Sequence, residues 1–124
     1  MTGWTGLERC REELAAARLL AGKGFEAQAV SRAYFAAFFA VEAALLALGL
    51  TRSKHSGVVS AFIHLLVRGG QFDQEIGRLL RSLFERRNEA DYSAVHVPVE
   101  EADAAIRDAE RVVTAVETWL TQRG

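Results

Sequence analysis

Cysteine and proline each occur once in this chain, as Cys10 and Pro98. A lone cysteine excludes an internal disulfide and fits a reducing compartment, where it is expected to pack between helices rather than react. With proline nearly absent and alanine and leucine abundant, half the residues hydrophobic and a quarter charged, the composition is that of a soluble helical protein. No sign of charge prevails: 15 Lys and Arg face 16 Asp and Glu, a formal net charge of −1. A global electrostatic hold on nucleic acid is thereby excluded, and any polyanion contact must come from a local cluster. The three histidines lack the paired spacing of a zinc site and one cysteine cannot build a thiolate cluster, so no metal and no cofactor are expected. There is no Walker loop, no dinucleotide fingerprint and no Gly-x-Ser-x-Gly elbow. The longest apolar run, Ala33 to Leu48, is broken only by Glu42 and falls short of the ~20 residues of a membrane span. It reads as a buried central helix, with no membrane contact expected. Met1 to Gly6 lacks the apolar core of a signal peptide, which predicts a cytoplasmic protein.

What is present is helical periodicity. At 124 residues the chain makes one domain, without repeats, low-complexity tracts or linkers. A first helix is read from about Leu7 to Ala21, stopped by Gly22-Lys-Gly24, and a second from about Phe25 to Leu48, stopped by Gly49. The second is apolar nearly all round, the mark of a helix that others pack around. After the loop Thr51 to His55, Ser56 is the expected N-cap of a third helix, about Gly57 to Val67, in which His64 reads as structural. A fourth helix starts near Asp73 and runs to about Asn88 or Ala90. Pro98 with Glu100 and Glu101 starts the fifth, whose Ala102, Ala105, Ala109, Val113, Val116 and Leu120 share one side. Its acids, Glu100, Glu101, Asp103, Asp108 and Glu110, spread around the cylinder and read as a solvated face. Short connections between antiparallel neighbours predict an all-α bundle of four to five helices.

Two clusters could carry chemistry. In the fourth helix Ile76, Leu79, Leu80, Leu83 and Phe84 share a face, and Arg87 falls where another leucine would be expected. A guanidinium does not deprotonate and is costly to bury alone, so it needs a carboxylate, a phosphate or a wet interface before it. Asp91, four residues on, would supply an ordinary intrahelical pair. The full segment, Arg86, Arg87, Asn88, Asp91 and Tyr92, could bind and orient a phosphodiester, with Asp91 or Tyr92 moving a proton only under a large pKa shift. The second cluster, Arg52, Lys54, His55 and Ser56 ahead of the third helix, joins basic side chains, a hydroxyl and free backbone N–H groups in a ready anion site. His55 is the best placed of the three histidines to act as a general acid or base. A solvated basic loop would look the same.

Three segments together are similar to the HEPN family of small prokaryotic helical proteins. They are Ala29-Val-Ser-Arg-Ala-Tyr-Phe-Ala-Ala-Phe-Phe39, Lys54-His-Ser-Gly-Val58 and Leu83-Phe-Glu-Arg-Arg-Asn-Glu-Ala-Asp-Tyr92. The last resembles the branch with an Ala-Asp-Tyr ending. The resemblance implies a homodimer in which the arginine motif of each copy faces its mate across a shared cleft. It also implies a small nucleotidyltransferase as partner and, in some such pairs, a toxin–antitoxin relation in which the HEPN member is a metal-independent ribonuclease. In those nucleases a histidine follows the arginine after four to six intervening residues. Here Tyr92 stands at that distance from Arg87 and Asp91 from Arg86, and His96 lies eight intervening residues beyond Arg87. His55 is the candidate to replace the missing imidazole.

Three functions follow. The first is a dimeric nucleotide- or RNA-binding partner of a small nucleotidyltransferase, with Arg86, Asn88, Lys54, Ser56 and Arg52 as binding residues. The second is a metal-independent endoribonuclease in which Arg87 and Arg86 stabilise phosphorane charge while Asp91, Tyr92 or His55 moves protons. The third is a helical interaction module without a ligand.

Overall fold

The computed structural model describes residues 2–92 and 96–123, with side chains from Leu7 onward. Among the described residues there are five α-helices and no strand: α1 (Thr2–Gly22), α2 (Glu26–Ala47), α3 (His55–Ala61), α4 (Gln74–Tyr92) and α5 (Val99–Arg123). α3 runs directly into a π-helical segment, Phe62–Val67, where Arg68 N–H bonds the Ile63 carbonyl five residues back. The all-α bundle expected from periodicity is therefore the fold.

α2 is the axis. α1, α3, α4 and α5 all pack against it, and its alanines at 29, 33, 36, 37, 40, 43 and 44 are buried to at least 98%. Small side chains let neighbouring backbones approach, while Val30, Val41, Leu45 and the ring of Tyr34 fill the core between them. By length and composition α2 could cross a membrane, but 72% of its most apolar window is covered by the rest of the fold. That is the burial of a core helix. Cys10 is wholly buried, and burial first of all pushes its thiol up to about 12, far from a reactive thiolate.

The glycine stops work through the left-handed region. Gly24 has φ +86° and Gly49 φ +74°. At each helix end the following residue reaches back, Phe25 N–H to the Leu20 carbonyl at 2.8 Å and Leu50 N–H to the Leu45 carbonyl at 2.9 Å, so that carbonyls left over by the helix are satisfied. Asp73 caps α4: its carbonyl accepts from Ile76 N–H at 3.0 Å and its carboxylate from Glu75 N–H at 3.3 Å. Pro98 occupies the same place before α5, accepting from Glu101 and Ala102.

Five expectations change. α1 begins at Thr2 rather than Leu7. α3 begins at His55, with Lys54 in the cap position and no side-chain cap, so the exposed Ser56 is not the N-cap. His64 is exposed, not structural. The acids of α5 are also not all solvated: Asp108 holds Arg86 of α4, while Glu110 and Glu117 hold Arg18 and Arg11 of α1. α4 further runs on to Tyr92, and residues 93–95 of the turn expected before Pro98 lie outside the described residues.

Nothing lies within 4 Å of a Cβ built on Gly49, so its requirement is purely conformational. Gly49→Ala is expected to lower unfolding free energy by about 1 kcal/mol, the cost of placing a side chain in the left-handed region. Urea denaturation followed by circular dichroism checks this, and an unchanged midpoint would contradict it.

Candidate functional site

Between Ala29 and Leu45 only Arg32, Phe35, Phe39 and Glu42 of α2 keep contact with solvent. These positions recur every three to four residues, so they form one stripe along the side that no other helix covers. Cations lie on its rings. The Arg9 guanidinium carbon sits 4.6 Å above Phe39, and that of Arg32 sits 4.6 Å above Phe35. Both arginines converge on Glu13, which is buried, Arg32 through Nη1 shared between the two oxygens at 3.0 and 3.2 Å and Arg9 at 3.5 Å. A carboxylate taken from water needs such charged donors.

The stripe leads to Arg87. Its guanidinium carbon lies 5.3 Å from the Phe35 ring centre and 5.7 Å from that of Tyr34, and its side chain is 20% exposed. The last turn of α4 supplies Asp91, whose Oδ2 lies 2.8 Å from Arg87 Nε, and Asn88, whose Oδ1 accepts from Nη1 at 3.5 Å. Asp91 also accepts a hydrogen bond from Ser31 Oγ of α2. The Arg87–Asp91 contact is close but poorly aligned: the buried Nε–H is not directed at the carboxylate and has no hydrogen-bond acceptor. The ion pair therefore neutralises charge without satisfying the donor. A second buried donor, the Tyr34 hydroxyl, also lacks a partner although the residue is fully buried. Burial pushes this phenol up to about 12, against the opposing influence of the Arg87 cation, so it remains a proton donor at neutral pH.

His55 joins this shelf from α3. Its ring stacks on Phe38, with centres 4.0 Å apart and planes at 29°, and meets Phe35 edge-on at 5.4 Å. Its pKa is lowered from 6.5, first by burial and then by the Arg87 cation, with Glu42 opposing. At neutral pH it carries a free lone pair, the state a general base requires.

The fold thus brings together Arg87, Asp91, Asn88 and His55, residues from two separate sequence clusters. It does not bring in the others equally. Arg86 turns to α5, donating to Asp108 at 2.7 Å and to the Ser82 carbonyl at 3.4 Å. Tyr92 is 80% exposed. Lys54 and Ser56 flank His55 in the chain and face solvent, and Arg52 donates to the neighbouring Thr51 carbonyl at 2.7 Å. Sequence reasoning missed the shelf itself, Tyr34, Phe35 and Phe38, together with the Ser31 anchor and the Glu13 pair. The signal available was the spacing of Arg32, Phe35, Phe39 and Glu42. Among the described residues no group of three or more His, Cys, Asp or Glu side chains gathers to hold a metal.

Because the folded His55 binds its proton more weakly than the unfolded chain does, the stability it contributes is fully present above about pH 6.5 and is lost as pH falls through its depressed folded value. Removing the cation with Arg87→Met should raise the His55 pKa toward 6.5 and weaken this acid sensitivity. Proton NMR titration of the imidazole reads it directly, and an unmoved or lower value would show that the two groups do not interact.

The profile of the HEPN domain family matches residues 5–119. A "UPF0332 protein" of Thermotoga maritima is 41% identical over 114 residues, covering 90% of this chain and 86% of its own. A Methanocaldococcus jannaschii protein named "Putative toxin" is 33% identical over 116 residues, covering 94% of this chain and 87% of its own. The crystal structure of a Thermus thermophilus protein superposes with a TM-score of 0.81 at 23% identity, covering 96% of this chain and 99% of that one, and shares the fold. With a match across nearly its whole length and relatives at this level of identity, the chain belongs to the HEPN family.

Proposed function

We propose that this HEPN protein acts in the cytoplasm as a homodimeric RNA- or nucleotide-binding member of a toxin–antitoxin-like pair, with a small nucleotidyltransferase as its partner. Arg87 of each copy would face the shared cleft. The observation that carries this reading is the state of Arg87: a cation four-fifths withdrawn from water, on an aromatic shelf, its Nε–H and the nearby Tyr34 hydroxyl both without acceptors. The part of this guanidinium that still meets water suits a phosphate oxygen, whereas the Nε–H and the phenol lie buried beneath it. The uncovered stripe of α2, continued by Leu46 at 41% exposed, gives a second copy an apolar surface to cover beside that cation. Relatives named as toxins are in keeping with the toxin–antitoxin setting.

A second reading, a metal-independent endoribonuclease, is favoured by one observation. His55 stands neutral within the electrostatic reach of Arg87 although no histidine follows the arginine in the motif. Here the imidazole would take the proton of the attacking 2′-hydroxyl while Arg87 stabilises the phosphorane.

Purified protein is expected to sediment at twice the 13.6 kDa chain mass, and Leu46→Glu to shift it toward the monomer. A monomeric wild type at high micromolar concentration would remove the shared cleft. Arg87→Ala is expected to weaken RNA binding about ten- to a hundredfold, the loss of a charged hydrogen bond, and equal binding by both proteins would refute the site. Incubation with RNA in chelator separates the two readings: cleavage abolished by both Arg87→Ala and His55→Ala establishes the enzyme, whereas binding without cleavage establishes the binding subunit.

A further inference from the structure

α3 and its π-helical continuation run antiparallel to α4. At one end Val67 packs on Gly77, where a Cβ would come within 3.3 Å of both valine methyls. At the other end His55 and Arg87 rest on the same two rings, Tyr34 and Phe35. From Gly77 to Arg87 is ten residues of helix, about 15 Å. At the Gly77 end lies a groove of about 230 Å³ with an apolar floor of Ile63, Val67 and Gly77, and its rim carries Arg68, Arg78 and Arg81. No carboxylate lines it. Arg78 is paired with Glu75 at 2.5 Å, whereas among the described residues Arg68 and Arg81 form no ion pair. All three arginines are exposed. On a chain whose net charge is −1, this rim gathers three arginines of which Glu75 neutralises one, leaving Arg68 and Arg81 as local positive charge.

We propose that this seam is a track for single-stranded RNA, whose backbone is gripped by Arg68, Arg78 and Arg81 and whose next phosphates are led to Arg87. The proposal rests on the RNA-binding reading above. Guanidinium groups fit phosphate oxygens in a fork, and their planes together with the apolar floor offer a base a face that is indifferent to sequence. Gly77 lets the π-helical wall lie directly on the backbone of α4, so that Val67 and the glycine together form the floor. The distance to Arg87 is that of a few nucleotides, so short RNA would fill the Arg87 end alone and longer RNA would reach both.

The test uses the full chain with a labelled uridine tetranucleotide and dodecanucleotide. The triple variant Arg68→Gln, Arg78→Gln, Arg81→Gln, checked for native helicity, is expected to bind the dodecanucleotide at least tenfold more weakly. Its plot of log affinity against log salt should be shallower by about 2, at about 0.7 per lost phosphate contact on a single strand. Tetranucleotide binding should be unchanged, and a triple lysine variant should recover most of the dodecanucleotide affinity. Wild-type dodecanucleotide binding that is lost with Arg87→Ala but untouched in affinity and salt slope by the triple glutamine variant would overturn the track and leave the site. An absence of RNA binding by the wild type would overturn both. If a polyglutamate peptide binds through the three arginines while RNA binding ignores them, the groove serves an acidic protein partner and the track is refuted.

Discussion

α2 constrains everything else. A helix with seven alanines buried to at least 98% has little bulk of its own, and it is stable only while other helices cover it. α1, α4 and α5 pack along it and α3 adds a smaller contact. The strip that remains cannot be alanine without leaving a bare apolar surface, nor freely charged without losing the packing of its neighbours. Arginine laid over phenylalanine meets both demands. The guanidinium keeps water at its edges while its plane and stem shelter the ring, an arrangement worth about 0.5–2 kcal/mol depending on how dry it is. Arg9 on Phe39, Arg32 on Phe35 and Arg87 on Phe35 and Tyr34 repeat this solution along one line.

Those three cations are not equivalent, and the difference is where function enters. Arg9 and Arg32 share a buried carboxylate, Glu13, with Arg32 gripping both of its oxygens. Arg87 has one carboxylate, Asp91, and the Asn88 amide oxygen, and that carboxylate also accepts from Ser31 while Nε–H finds no acceptor. One carboxylate thus serves to pin the end of α4 to α2 and only partly serves the arginine. A structural arginine would be expected to have its donors matched as Arg32 does. The mismatch at Arg87, with the buried Tyr34 hydroxyl orphaned near it, marks this end of the stripe as less fully matched than the Glu13 end.

How much of this was legible depends on the range of the interaction that decides each feature. Helix stops at Gly24 and Gly49 were readable, because the left-handed conformation is a property of one residue. So was the oddity of Arg87, because helical phase alone places it on the greasy face. The run of α4 to Tyr92 was not, since the last turn is held by Ser31, sixty residues earlier in the chain. Arg86 and Arg87 are adjacent and chemically identical, and only the packing of α5 decides that the first meets Asp108 while the second meets the aromatic shelf. Ser56 looked like a cap because serine favours that position. The helix instead starts a residue earlier, and His55 stacks on Phe38, an aromatic contact of the kind that can outweigh a capping preference.

The placement of His55 also bears on what the missing motif histidine means. A histidine one turn beyond the arginine would ride on α4 and move with it. An imidazole on α3 approaches from a different helix and is set by stacking rather than by the pitch of α4. Burial first, and then the Arg87 cation, suppress its protonation, and loss of protonation is what a base at neutral pH needs. The same field works against it as an acid, because a proton donated to a leaving oxygen must first be held next to a guanidinium. A site with one imidazole in this field has a base to start a phosphoryl transfer but a poor acid to finish it, and the Tyr34 phenol is buried out of reach of a leaving oxygen. Binding needs neither step, only the partly exposed cation. On this chemistry the arrangement is better suited to holding a phosphodiester than to cutting one.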